Sequence, residues 1–248
     1  MQLYFIRHAQ SINNEYWLKT KSSVDREPDP ELSETGQQQK DYLAAYLSRS
    51  NDGKPSTRRD PHNQIGFGIT HLYTSLMVRA VETGSAISKA SGIPLTAWVD
   101  LHETGGVVEG DGDGDGYLGL PGNPRSFFED RYPELYLADN FGEEGWWNRP
   151  WEAEEEKTPR AKQVLDRLND CHAGTEDRVA VITHGAFYNR MMRVLLGIPD
   201  ESNLWIAIFN TAITRLDFKR DMFDDKKTVV IVDYLNRVDF LPDELVTP

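Results

Sequence analysis

The sequence is poor in cysteine: Cys171 is the only one among 248 residues. One thiol cannot form a disulfide within the chain, so a disulfide-stabilised scaffold is excluded. Nothing around Cys171 marks an activated thiol, and we interpret it as a residue at a helix end rather than a nucleophile. Basic residues are outnumbered, with 27 Lys and Arg against 40 Asp and Glu and a net charge of −13. This balance argues against general affinity for nucleic acid or anionic membranes.

Long apolar runs are also missing. No segment approaches the roughly 20 apolar residues that a membrane-spanning helix needs, and the start MQLYFIRH does not have the pattern of a secretory signal. We therefore expect a soluble, cytoplasmic protein. Because no Gly/Ser-rich linker or fixed-period repeat divides the chain, we predict one α/β domain over residues 1–248.

Short apolar runs alternate with segments of helical periodicity. Strands are predicted at 2–6, 65–75, 93–100 and 177–185, with two or three more between 204 and 238. Helices are predicted from near Ser33, over 76–92 with Gly92 as the end, over 158–170 and over 186–198. This alternation is typical of a three-layer sandwich in which helices flank a mostly parallel central sheet. Residues 104–152 are rich in Gly, Pro, Asp and aromatics, and we predict a loop-rich insertion that covers the site.

Polar side chains collect where the predicted strands end, which is where ligands of such sheets bind. The residues placed there are Arg7, His8, Ser11, Asn14, Ser75, Arg79, Glu103 and His184. Arginine forks match the oxygens of a phosphoryl group, and a neutral imidazole can attack phosphorus. A glutamate can protonate the leaving oxygen if its surroundings raise its pKa enough. The set indicates phosphate chemistry by positioning and charge, without a metal.

Five motifs, in this order, resemble the histidine phosphatase superfamily, also called the phosphoglycerate mutase-like or RHG-motif family. They are FIRHAQSINN, DPELSETGQQQ, YTSLMVRAVETG, LHETGG and VITHGAF. The family has Arg-His-Gly where this chain has Arg7-His8-Ala9, which is a mild departure because alanine is also small. The resemblance spans about residues 2–235 and implies a phosphoglycerate mutase-like fold. A lone tripeptide would be weak evidence, whereas five motifs in order are specific.

The resemblance also implies roles for the matched residues. His8 would be the nucleophile that takes the phosphoryl group, and Arg7, Arg79 and His184 would hold its oxygens. Glu103 would act first as general acid and then as general base. No metal or cofactor is implied.

Weaker candidates for substrate contact surround this set. Ser11, Asn14 and the backbone at Ala186 would help to line the same pocket. In the insertion, Trp146, Trp147 and Trp151 lie near Arg149 in GEEGWWNRPWE. Two interpretations stay open for these aromatic residues. They form either a core patch that pins the insertion to the domain, or a lid wall that stacks on an organic leaving group while Arg125 or Arg149 contacts further negative charge.

The stretch EGDGDGDGYLG resembles the start of a calcium-binding EF-hand loop through Asp111, Asp113 and Asp115. The twelfth position of such a loop needs a bidentate glutamate, and here it is Gly122. We therefore interpret the stretch as a flexible acidic turn. We interpret His71 and His102 as structural or exposed histidines.

Three functions are weighed. The leading hypothesis is a metal-independent phosphomonoesterase that acts through a phosphohistidine on a small phosphorylated metabolite. A phosphoglycerate mutase is the second, although Ala186-Phe187-Tyr188 stands where mutases carry Asn-Ser-Leu-Arg. A non-catalytic binding protein of the same fold is the third, and the presence of all five catalytic-type residues disfavours it. We expect neither nucleic acid nor membrane partners, and a homodimer is left open.

Overall fold

The structure, a computed structural model, describes residues 1–49, 60, 62–110, 116–138, 141–221, 224 and 228–248. Within these ranges the strands are β1 (Gln2–Arg7), β2 (His71–Thr74), β3 (Leu95–Ala97), β4 (Val108–Glu109), β5 (Leu118–Gly119), β6 (Leu135–Tyr136), β7 (Arg178–Thr183), β8 (Ile213–Arg220) and β9 (Thr228–Arg237). The α-helices there are α1 (Ile12–Thr20), α2 (Glu34–Leu47), α3 (Val78–Ser91), α4 (Arg125–Arg131), α5 (Glu154–His172) and α6 (Gly185–Leu196). In these ranges, no helix combines the length and apolarity that crossing a bilayer requires.

A mixed sheet forms the centre of the described part of the chain, with the strand order β6-β3-β2-β7-β1-β8-β9. The five strands from β6 to β1 run parallel to one another. Strand β8 is antiparallel to β1, and β9 is antiparallel to β8. Strands β1 and β7 are buried along nearly their whole length. Continuous apolar strands of this kind are expected where helices cover both faces of a sheet. The predicted mostly parallel central sheet is confirmed.

Two apolar cores lie on opposite faces of the sheet. Side chains alternate between the faces along β1: Tyr4 and Ile6 belong to one core, and Leu3 and Phe5 to the other. Helices α2 and α3 pack together over the first core, and α5 and α6 pack together over the second. The result is the three-layer arrangement expected from the alternating pattern.

The helix boundaries show which local sequence signals were sufficient to predict where a helix begins or ends. Ser33 caps α2, since its hydroxyl accepts a hydrogen bond from the Gly36 amide at 3.1 Å. Gly92 ends α3 in the left-handed region with a φ of 73°. Both predictions are confirmed. Helix α5 begins at Glu154 rather than Thr158, because three glutamates in its first turn favour the positive end of the helix dipole.

The last strands and the insertion differ from the prediction. Residues 202–209 are not a strand, and two of their amides bond to side chains instead: Ile206 N donates to Asn189 Oδ1 and Phe209 N to Asn236 Oδ1. The strand predicted at 65–75 is reduced to β2. The insertion contains α4 and the β4–β5 ribbon, and its strand β6 extends the main sheet beside β3. Asp111, Asp113 and Asp115, which we interpreted as part of an acidic turn, lie outside the described residues.

Candidate active site

The register of β1 and β7 brings two histidines side by side. The strands are parallel neighbours in which Arg7 pairs with Thr183. His8 and His184 are the next residues of each strand, and their ring centroids are 5.0 Å apart. Since parallel strands end at the same edge of a sheet, both rings lie at its carboxyl edge.

The hydrogen bonds of His8 define which ring nitrogen is free to react. Nδ1 lies 2.7 Å from the carbonyl oxygen of Ala9, which can only accept, so Nδ1 carries the proton. Nε2 therefore carries the lone pair, and it accepts a hydrogen bond from Nε of Arg79 at 3.2 Å. This is the neutral tautomer in which Nε2 is the nucleophilic atom.

Burial and nearby cations keep both histidines neutral. The pKa of His8 is lowered well below 6.5 by burial and then by the charges of Arg79 and Arg7. The pKa of His184 is lowered for the same first reason, with Arg79 as the next contribution. Neither ring nitrogen of His184 has a hydrogen-bond partner among the residues that the structure describes, although the ring is fully buried. A buried polar group of this kind is available to a ligand.

Two guanidinium groups face the same point. Nη1 of Arg7 donates to the Ile208 carbonyl at 2.8 Å, while its buried Nε has no partner within the described ranges. Burial, followed by the charge of Arg79, lowers the pKa of Arg7 to about 10, and the charge of Glu103 opposes this. Both arginines are therefore cationic at neutral pH and can hold an anion.

Asp29 orients Arg79, and the residue analysis of the sequence did not single it out. Its Oδ1 lies 3.6 Å from Nη1 of Arg79. The carboxylate also accepts hydrogen bonds from the Val78 amide and the Asn123 side chain. Burial raises the pKa of Asp29 to about 6, while Arg79 acts against that rise. The only sequence signal was its place at the start of the second motif.

Glu103 lies at the N-terminus of α6. Its Oε1 accepts hydrogen bonds from the amides of Thr104 at 2.8 Å and Phe187 at 2.9 Å. Its Oε2 accepts one from the Ala186 amide at 3.1 Å. The carboxyl group is thus fixed by backbone donors at the positive end of a helix, beside the cavity.

A cavity of about 330 Å³ joins these groups. Seven of its lining residues were candidates from the sequence: Arg7, His8, Ser11, Asn14, Arg79, Glu103 and Ala186. His184 contacts this set through its ring, which packs against the ring of His8. Ser11 and Asn14 also have a structural part, because they form the reciprocal capping box of α1.

The other motif residues support the loop that follows His8. The Ala9 amide donates to Thr83 Oγ1 at 3.0 Å, and the Gln10 amide donates to Gln39 Oε1 at 2.7 Å. Ser33 Oγ donates to Gln10 Oε1 at 2.7 Å. These side chains fix the backbone beside the nucleophile and do not line the cavity.

Three candidates are placed elsewhere. Ser75 is buried, and its hydroxyl accepts from the Met77 amide. Trp146 is buried in the core of the insertion. Arg149 stacks on Trp147, with its Cζ 4.0 Å from the ring centroid, and its Nη2 lies 3.1 Å from Nε2 of the buried His102. None of the three lines the cavity, and the contacts of Trp146 and Arg149 are those expected from the core-patch interpretation.

Two exposed residues at the rim of the cavity, Arg26 and Trp205, were missed by sequence reasoning. Arg26 and Trp205 line it from two different loops, and Trp205 is 63% exposed. Arg26 makes no ion pair within the described part of the chain. The segment around Trp205 was predicted to be a strand, and no local pattern relates either residue to the motifs.

Comparisons with known proteins identify the family and the fold. The profile of the histidine phosphatase superfamily (branch 1) matches residues 62–229. Probable phosphoglycerate mutase GpmB of Yersinia enterocolitica is 22% identical over 220 residues, which is 88% of this chain and 86% of that protein. Two solved structures show the same fold. Mycobacterial glucosyl-3-phosphoglycerate phosphatase superposes with a TM-score of 0.58 at 18% identity, over 96% of this chain and 99% of that one. The H9A mutant of Entamoeba histolytica phosphoserine phosphatase, in complex with phosphoserine, gives 0.55 at 18% identity, over 97% and 99%.

Proposed function

Because this chain belongs to the histidine phosphatase superfamily, we propose that it is a metal-independent phosphomonoesterase that acts through a phosphohistidine. The observation that carries the proposal is the placement of Nε2 of His8. Nε2 accepts from Arg79 at the wall of a cavity that Arg7 also lines, and its ring lies 5.0 Å from that of the buried His184, whose nitrogens have no partner among the described residues. The whole arrangement suits a PO3 group held by cations in front of a nucleophile.

The first step transfers the phosphoryl group to His8. Nε2 attacks phosphorus, the P–N bond forms, and the P–O bond to the leaving alcohol breaks. Arg79 releases Nε2 and turns its N–H donors to the phosphoryl oxygens, where Arg7 and His184 also bind. Glu103 gives its proton to the leaving oxygen, which would otherwise depart as a costly alkoxide.

The second step regenerates the enzyme with water. The Glu103 carboxylate takes a proton from water as its oxygen attacks phosphorus, and the P–N bond breaks to release phosphate. Splitting the reaction in this way replaces one difficult displacement with two easier ones.

Features of the rim support a small phosphorylated metabolite as substrate. A cavity of about 330 Å³ accommodates a phosphate and a modest leaving group. Trp205 offers an aromatic face to the leaving group, and Arg26 offers a cation to a second negative charge.

A mutase remains the second candidate, since relatives at 22% identity carry that name. Mutase chemistry needs a second hydroxyl of a bound phosphoester to attack the phosphohistidine. Phe187 and Tyr188 are fully buried, and Tyr188 bonds to Thr214. These two side chains are therefore not available to hold such a substrate, which favours water as the acceptor.

The test compares two products from the same enzyme preparation in the presence of EDTA. We expect phosphate release from a panel of phosphorylated metabolites, together with an acid-labile phosphoenzyme that is absent from His8→Ala. Efficient isomerisation of 3-phosphoglycerate without free phosphate would assign the mutase instead. Absence of both reactions and of the phosphoenzyme would contradict catalysis through His8.

A further inference from the structure

A second cluster of chemically active side chains lies at the other end of the sheet. His71 opens β2, Asp177 directly precedes β7, and His172 closes α5. One ring nitrogen from each histidine and a carboxylate oxygen of Asp177 all lie within 4.8 Å of one another. Three elements that are distant in sequence thus bring two imidazoles and one carboxylate together.

Each histidine has a hydroxyl group beside one ring nitrogen. Nδ1 of His71 lies 2.8 Å from Oγ1 of Thr70. Nε2 of His172 lies 3.1 Å from the hydroxyl of Tyr73. Metal-binding histidines usually donate their second N–H to an oxygen in this way, which fixes the tautomer and turns the other nitrogen to the ion. Here that leaves Nε2 of His71 and Nδ1 of His172 as the ligand atoms.

The burial of the cluster is suited to an ion that enters from solvent. His172 is buried, whereas His71 and Asp177 are partly exposed. Nδ1 of His172 and Oδ2 of Asp177 are 2.9 Å apart, and a hydrogen now lies between them. A metal ion would replace this hydrogen between Nδ1 and Oδ2. The proton of His172 would then be on Nε2, which donates it to the Tyr73 oxygen.

We propose that His71, His172 and Asp177 bind a divalent transition-metal ion, with Zn²⁺ as the preferred ion and water as its fourth ligand. Imidazole ligands favour zinc over magnesium or calcium, which take oxygen ligands. Zinc–ligand bonds of about 2.1 Å place tetrahedral ligand atoms about 3.4 Å apart. No pair of ligand atoms therefore has to approach by more than about 1.4 Å from the limit of 4.8 Å, and Nδ1 of His172 and Oδ2 of Asp177, now 2.9 Å apart, separate by about 0.5 Å.

The site is structural and separate from phosphoryl transfer. Strands β2 and β7 carry it at their beginnings and carry Arg79 and His184 beyond their ends. At about 3.3 Å per strand residue, the six residues of β7 separate the two sites by roughly 20 Å. The ion would join the end of α5 to the entries of two strands, and it would stabilise the folded protein because only that state presents all three ligands.

The test is a zinc titration of the full-length protein by calorimetry, with Co²⁺ absorption as a second readout of tetrahedral coordination. His71→Ala and Asp177→Asn remove one ligand each. His62→Ala removes an exposed histidine outside the cluster, and Cys171→Ser excludes the thiol. Phosphatase activity and circular dichroism of each variant are recorded in the same preparations.

We expect wild type, His62→Ala and Cys171→Ser to bind one zinc more than His71→Ala, and zinc to raise their melting temperature. Asp177→Asn should bind at least tenfold more weakly than wild type, and all variants should retain phosphatase activity. Equal zinc stoichiometry in wild type and His71→Ala would overturn the proposal, since any remaining binding would then belong to other histidines. No binding by wild type would overturn it as well.

Discussion

Arg79 connects the nucleophile candidate His8 with the carboxylate of Asp29. It donates to Nε2 of His8 and lies beside the carboxylate of Asp29. Burial is the main cause that lowers the pKa of Arg79, and Asp29 acts against it. Asp29 thus holds the arginine beside the cavity before substrate arrives, so that on binding Arg79 only exchanges Nε2 of His8 for the phosphoryl oxygens.

Substituting His8 tests the assignment of the nucleophile. We expect His8→Ala to lose roughly 10³-fold or more in kcat for p-nitrophenyl phosphate, because no other group replaces the attacking nitrogen. Circular dichroism should be unchanged. His62→Ala, in which an exposed histidine is removed, should keep wild-type kcat. A His8→Ala variant with wild-type turnover would remove His8 from its role.

The substitution Glu103→Gln tests the role of Glu103 as general acid. With an alkyl phosphate we expect a loss of roughly 10² or more, since general acids contribute about 10²–10⁴. With p-nitrophenyl phosphate, whose leaving group needs little protonation, the loss should be much smaller. The amide also replaces a carboxylate that accepts three backbone hydrogen bonds, so the melting temperature is measured in parallel. Equal losses on both substrates would argue against the acid role.

Arg26 tests how the rim recognises substrate. For substrates with a second negative charge, Arg26→Ala should raise KM about fivefold with kcat unchanged, as expected from losing an exposed ion pair worth about 1 kcal/mol. p-Nitrophenyl phosphate has no anionic group besides its phosphate and should be unaffected. Lys19→Ala removes an exposed cation that does not line the cavity and serves as the control. A KM increase that is equal for all substrates would show a general effect on the fold.

At the scale of elements, α2 is a support for the loop that carries the nucleophile. A Cβ on Gly36 would lie 2.0 Å from the carbonyl oxygen of Gln10. The helix therefore approaches this loop as closely as glycine allows. Because the helix lies this close, the side chains of Ser33 and Gln39 form hydrogen bonds with Gln10.

Gly36→Ala should push α2 away from the loop. We expect a loss of roughly 1–3 kcal/mol in the free energy of unfolding, typical of overpacking, together with lower kcat. Gly92→Ala is the matched control, because its Cβ would meet nothing within 4 Å and only its φ of 73° is strained. That control should lose about 1 kcal/mol and keep its kcat. Urea unfolding and steady-state kinetics of the two variants decide the comparison, and a Gly36→Ala variant with wild-type kcat would contradict the support role.

The elements also show why sequence patterns predicted some parts and not others. Strands β1 and β7 are buried on both faces, so their apolar runs were sufficient to predict them, and with them the positions of His8 and His184. Arg26 and Trp205 lie on loops whose paths depend on tertiary packing, which leaves no periodic signal. Trp146 was ambiguous because an aromatic cluster in an insertion has the same sequence pattern whether it faces a core or a ligand.

At the scale of the whole molecule, three buried histidines make stability depend on pH. Burial is the largest cause that lowers the pKa of His8, His102 and His184. In the unfolded chain each histidine takes up a proton below about pH 6.5. The unfolded state therefore binds more protons than the folded state in that range, and stability falls as the pH decreases.

Carboxyl groups with a raised pKa act in the opposite direction. Burial raises the pKa of Asp29 to about 6 and also raises that of Glu82, so these groups favour the folded state as the pH falls. Three histidines outweigh them between pH 7.5 and 5.5, at up to about 1.4 kcal/mol per proton and pH unit. We expect a lower urea midpoint at pH 5.5 than at pH 7.5. A midpoint that is unchanged or higher at pH 5.5 would show that the histidines do not outweigh the carboxyl groups.

The pairing of Arg7 with Thr183 also determines which changes in chain length the protein can tolerate. One residue inserted or deleted within either strand would turn its following histidine toward the opposite layer, since side chains alternate along a strand. The same length change in the turn at 92–94 between α3 and β3, which has no such alternation, would leave both imidazoles where they are. Over generations, indels in this protein should therefore accumulate in its connecting segments and be purged from β1 and β7, even where the strands contain no catalytic atom.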